Sequence, residues 1–242
     1  MAKLVFDKIG EKVFETGIEQ CALYPMKSGT VAEGASHYEK GVAWNGIISV
    51  EENPEGGEET ILWADNIEYA SLRSKEKYKA TINAYTYPTE WEECDGSKAV
   101  IPGVVVAGQA RRRFGLVYKT LIGNDKDGQD AGYKIHIVYN ASASVSSKNH
   151  QTVNDSPEAE EFSWEISSNA ISVKQATGSP ATLAGVKSLS TIVIDSRDFI
   201  ETTSATKLAA LEATLFGTDT AGEVQGTDPT LPDPDQVFDA LD

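Results

Sequence analysis

A chain of 242 residues can bury a substantial core as one domain or two small ones, and 40% hydrophobic content with no apolar run near membrane-span length argues for a soluble protein. A formal net charge of −16 argues against binding nucleic acid through its phosphates, which needs a surface of Lys and Arg. Seven acids fall within Gly217–Asp242, a stretch without Lys or Arg, and the body is acidic even without them.

The opening MAKLVFDKIGEKVF returns to charge within a few residues and lacks the apolar centre of a secretory signal, so action in the cytoplasm or release by lysis is expected. Leu4 to Ile9 and Gly17 to Tyr24 read as short strands. Met26 to Gly41 is irregular and poor in large apolar residues. It is either a solvated insertion or an arm that reaches a neighbouring subunit. Val42 to Val50 resumes strand character, and Thr60 to Tyr69, with Ile61, Trp63 and Ile67, reads as a strand bent near Asp65-Asn66.

The clearest organising stretch is EKYKATINAYTYPTEWEECD, Glu76 to Asp95. Tyr78, Ala80, Ile82 and Ala84 alternate with polar residues, as a half-buried strand requires, and Pro88 ends the ladder because it has no N–H. Thr89 to Asp95 reads as one helical turn, with Thr89 as N-cap and Gly96 as terminator. Ala99 to Val106 is an apolar run punctuated by Pro102 and Gly103. Arg111 to Leu121 and Gly132 to Ser146 pair as a hairpin across a Gly/Asp turn, with Tyr133, Ile135, Ile137 and Tyr139 on one face. Phe162, Trp164 and Ile166 alternate again, Gly178-Ser179-Pro180 marks a break, and Leu189 to Ser196 is a further strand.

Ser204 to Phe216 is the one predicted long helix, with Leu208, Leu211 and Leu215 on its apolar stripe, Ser204 as cap and Gly217 as stop. Beyond it, three prolines, many acids and few core residues predict a flexible tail. The expected organisation is a mainly β domain over 1–216, sandwich- or barrel-like with one packed helix and a long loop, followed by an extended acidic tail over 217–242.

Candidate chemistry is sparse. Cys21 and Cys94 match no metal spacing and read as free, buried small hydrophobes, with a disulfide as the alternative. His37, His136 and His150 sit in no nucleophile motif. Asp125, Asp127 and Asp130 have part of a calcium loop's spacing but are better explained as a hairpin turn. Glu90, Glu92, Glu93 and Asp95 cluster near Trp91, more in the manner of a solvated turn than a glycosidase pair. The basic run Arg111, Arg112 and Arg113 is matched to carboxylates on a neighbouring copy. No catalytic residue, cofactor or metal is expected.

AWNG at Ala43 to Gly46, ADNIEY at Ala64 to Tyr69, FGLVYKTLIGND at Phe114 to Asp125, NDSPEA at Asn154 to Ala159 and the Glu76–Asp95 stretch together resemble the tail tube (major tail) proteins of tailed bacteriophages. The resemblance spans roughly Ala2 to Val173. It implies a β-sandwich or barrel with a packed helix, hexameric rings stacked around a tape measure protein, and a lumen that later conducts DNA. Further implied partners are tail assembly chaperones and the tail terminator and initiator proteins, and the implied locations are the virion and the host cytoplasm during assembly, with no membrane. On this reading Met26, Ser28, Tyr38, Lys40 and the three arginines are inter-subunit contacts. Trp63, Tyr78, Ile82, Ile135, Ile137, Trp164, Leu208, Leu211 and Leu215 are structural. The acidic tail has no counterpart in the family pattern. Two alternatives stay open: a monomeric carbohydrate-binding module stacking ligand on Trp63, Trp91 and Tyr85, and the inner tube of a contractile tail or phage-derived injection device.

Overall fold

The fold is built outward from a central hairpin of two long strands, β9 (Phe114–Asn124) and β10 (Gly128–Ala143), which pair antiparallel because only the short turn 125–127 joins them. The computed structural model describes residues 4, 6–32, 35–146, 148, 150, 152, 159–173, 186–219 and 226–242; Asn154 to Glu158 of NDSPEA and the Gly178-Ser179-Pro180 break lie outside the described residues. On one side of β9 lies β1 (Val13–Pro25), itself paired with the two-residue β2 (Val42–Ala43). On the far side of β10 the sheet forks: the middle of β10 pairs with β14 (Thr191–Asp195), and its end pairs with β11 (Phe162–Ser168). From β11 the path continues through β6 (Lys79–Ala84) to β3 (Ile47–Glu52).

The terminal strands of that path, β2 and β3, are consecutive in sequence, separated only by Trp44, Asn45 and Gly46. Three residues cannot span an open seven-strand sheet, whose strands are spaced about 4.8 Å apart, so the sheet rolls on itself. Register shifts on β1 between Glu19 and Ala22, and on β10 between Val138 and Ala141, supply the coiling. Gln20 and Asn140 take φ of 50° and 49° at those bulges. The displaced backbone is not orphaned: Asn140 N donates to Tyr38 Oη at 3.0 Å, and Tyr139 N to Ser190 O at 2.9 Å.

Inside the roll, Cys21, Leu23, Ile82, Phe114, Leu116 and Ile166 pack around the indoles of Trp44, Trp91 and Trp164. Trp44 and Trp91 stand 4.5 Å apart between centroids, and Trp91 meets Trp164 at 5.4 Å. Trp91 belongs to α1 (Trp91–Asp95), the short helix that follows Pro88 and stops at Gly96, φ 84°. Thr89 is not its cap; Glu90 holds that position without a side-chain bond. Both cysteines are buried and free.

The outer face of β1, β9, β10 and β14 carries a second core: Tyr24, Val117, Ile135, Ile137, Tyr139 and Ile194 pack against α2 (Thr202–Phe216) through Leu208, Leu211 and Leu215. The helix begins at Thr202 rather than Ser204, which instead donates its hydroxyl to Glu201 O. Lys119, almost buried on β9, reaches Glu212 of α2 at 3.0 Å and lies over the Tyr133 ring.

The predicted flexible tail is corrected for its described part. Residues 226–242 fold back over α2, Leu231 and Val237 are fully buried, and a third helix, α3 (Pro234–Leu241), opens on an Asp233/Gln236 capping box with Pro234 at its first turn. Leu231 fits where Gly115 has no side chain: a Cβ there would stand 2.2 Å from its methyl. Polar ties fix the segment to the loop preceding β2: Ser36 Oγ donates to Leu231 O at 2.5 Å, Gly41 N to Pro229 O at 2.9 Å, and Lys40 pairs with Asp228 at 2.5 Å. Residues 226–242 thus pack on the body rather than hang free of it.

Candidate assembly surface

Several expected contact residues have partners within the chain. Met26 and Tyr38 form a β-bridge that closes the loop; Met26 is half-buried, and Tyr38 is buried against Tyr139 with its hydroxyl on β10. Lys40 is spent on Asp228, while Ser28 stays exposed. Arg112 donates to Glu39, to Glu93 at 2.9 Å and to Met26 O at 2.6 Å, clamping the loop to α1, and Arg113 reaches Asn140 Oδ1 at 3.1 Å. A basic run beside Glu39 of the loop and Glu93 of α1 finds carboxylates within its own chain first, since no second entropy of association opposes it. Only Arg111 is exposed and without an ion pair among the described residues.

The remaining chemistry is spoken for in the same way. His37 meets Asp233 at 2.9 Å, His150 meets Glu160 at 3.1 Å, and His136 stacks on Tyr118 while its Nε2 lies 3.0 Å from Thr120 Oγ1. Burial holds the His136 imidazole below its ordinary value, with Glu52 pulling the other way. Asp95 pairs with Lys148 at 3.3 Å. In the Asp125–Asp130 turn, Asn124 Oδ1 accepts Lys126 N at 2.9 Å and Asp127 N at 2.5 Å, a local Asx turn. Among the described residues no three His, Cys, Asp or Glu side chains gather as metal ligands.

What stands out is apolar surface that none of the described residues covers. The chain between β3 and β6 is one long hairpin arm: the Glu55·Lys77 bridge continues the β3–β6 ladder into β4 (Glu59–Ala64) and β5 (Ile67–Arg73). Asp65 and Asn66, φ 51° and 61°, form its tip, the two left-handed residues of a type I′ turn. The single bent strand expected over Thr60 to Tyr69 is thus two strands and a turn. From Asn53 to Asp65 the arm can extend about 40 Å at a strand rise of ~3.3 Å per residue. It lacks a core: Trp63 is 69% exposed and Tyr69 73%, with Ile61, Leu62, Ile67 and Leu72 also exposed. Trp63 lies on the surface, whereas Tyr78, Ile82, Ile135, Ile137 and Trp164 are buried.

A second hairpin, β7 (Lys98–Ile101) with β8 (Val104–Val106), turns at Pro102-Gly103 and exposes Val100, Ile101, Val104, Val105 and Val106. Gln109 N to Gly96 O, 2.8 Å, closes its base beside Arg111. The N-terminal segment adds Leu4, Phe6 and Ile9, all exposed; its described residues form no strand, contrary to expectation. Two-stranded hairpins in water are marginal, and each such side chain gains about 1.5–3 kcal/mol when fully buried. The signal was present in the sequence, as Asp-Asn between Ile61-Leu62-Trp63 and Ile67-Tyr69, a hairpin pattern rather than a bend.

A scan against protein-family models finds no match, and a search of curated proteins finds none either.

Proposed function

We propose that this chain is the repeating subunit of a self-assembled hollow tube, of the kind formed by the tail tube proteins it resembles, with DNA passing through the bore. The observation that carries the reading is the pair of apolar hairpins projecting from a rolled sheet whose own core is complete without them. A monomer has no use for Trp63, Ile67 and Leu72 in water, whereas a subunit buries them against the next copy.

Two further features support it. The roll plus an outer helix is the architecture the resemblance implies. The excess of acids suits a conduit, because carboxylates repel phosphate within a Debye length of about 8 Å at physiological salt. The outward polar face of β3, β6 and β11, with Glu51, Thr81, Asn83 and Glu165, is our assignment for the lining. The tape measure protein, chaperones, terminator and initiator belong to the same proposal, as do the virion and host cytoplasm as locations.

The carbohydrate module needs Trp63, Trp91 and Tyr85 on one surface, and Trp91 is fully buried. Sedimentation velocity over a concentration series tests the proposal: the wild-type chain should shift from monomer to rings or longer species, and Trp63→Ser with Ile67→Ser should raise the concentration required. A wild-type chain monomeric throughout would overturn it.

A further inference from the structure

The two exposed hairpins differ in charge as well as position. At the tip of the β4–β5 arm, Trp63 faces Glu68 across the ladder and Asp65 lies in the turn. Both carboxylates are exposed and make no ion pair among the described residues. At the base of the β7–β8 hairpin, Lys98 and Arg111 line a shallow concavity whose one carboxylate, Glu93, is held by Arg112. Neither cation has an ion pair among the described residues, although the chain carries 37 acids against 21 bases. One surface is thus apolar with spare carboxylates, and the other is apolar with spare cations.

We propose that the tip of the β4–β5 arm of one copy docks on the β7–β8 hairpin of the next, with Trp63 laid on the exposed valines and Glu68 and Asp65 received by Arg111 and Lys98. The inference rests on the self-assembly reading and names the contact that carries it. Tryptophan and arginine are the side chains that most often anchor interfaces, and the guanidinium offers a planar fork to a carboxylate. Because tip and receiving patch are different surfaces, the contact is head-to-tail and adds copies without limit unless it closes into a ring. In so acidic a chain, a matched patch of this kind also fixes which face of a neighbour is accepted.

The experiment is a charge swap, read by sedimentation velocity and negative-stain microscopy. Arg111→Glu and Glu68→Lys, each at an exposed site, should keep the wild-type melting temperature while raising the concentration needed for assembly by about tenfold or more, about 1.4 kcal/mol per tenfold. Mixed together, the two variants should assemble again, since reversed tips then meet reversed patches; the Arg111→Glu, Glu68→Lys double variant should do so alone. Lys126→Glu, the same charge change in the β9–β10 turn, should leave assembly unchanged. If both single variants assemble like the wild type, or if the mixture fails to recover, the docking is overturned, and the arm tip meets another surface or another protein while self-assembly stands. A wild-type chain that never assembles would remove the reading beneath it as well.

Discussion

At the scale of the residue, burial decides what each reactive group can do. The Cys94 thiol is pushed up to about 12 by burial, with the Arg112 guanidinium opposing, and burial raises the Cys21 thiol as well. Neither is a useful thiolate at neutral pH. Alkylation at pH 8 should therefore leave the folded chain unmodified and label both cysteines once denaturant unfolds it; rapid labelling of the native chain would contradict their burial. His136 gives a pH signature. Its folded value is depressed by burial below 6.5, so the unfolded state takes up the proton first, and stability present above about 6.5 is lost as pH falls toward the folded value. Chemical denaturation between pH 8 and 5 should show that decline, reduced in His136→Gln. That both cysteines are buried was legible from the residue type; that Arg112 is tied to Glu39 and Glu93 of its own chain was not, because a run of like charges carries no record of which carboxylates fold back to it.

At the scale of the element, strands with strict alternation were readable and segments that depend on distant partners were not. β6 and β11 alternate because one face is covered by the roll, and their core residues follow from period alone, whereas β10 is covered on both faces, Ile135, Ile137 and Tyr139 in the outer core and Val138 in the inner one. The C-terminal segment looked unable to fold because it carries three prolines, many acids and few core residues. Its order comes from a socket made elsewhere, where Gly115 leaves room for Leu231 and Tyr139 donates its hydroxyl to Pro232 O at 3.2 Å. Leu231→Ala should cost about 2–5 kcal/mol of stability, as for a core leucine, measured by denaturant unfolding. A change below about 0.5 kcal/mol would mean the segment is only loosely attached. Trp63→Ser supplies the contrast: a side chain this exposed should leave monomer stability within about 0.5 kcal/mol, whereas Trp164→Ala, in the closed core, should cost about 3–5 kcal/mol.

At the scale of the whole molecule, the division of labour is between a finished body and unfinished arms. Both cores close without the β4–β5 and β7–β8 hairpins, and the clamp at Arg112 joins loop, cap helix and barrel wall into one unit. Exposed apolar arms on a closed acidic body are what a subunit needs if copies are to join by their extremities while their bodies repel. The proposal that copies of this chain build a hollow tube is put to the test by negative-stain microscopy of the purified wild-type protein across a concentration series. Rings or hollow tubes of uniform diameter, growing more frequent with concentration, are expected. Isolated particles of monomer size at every concentration would contradict it.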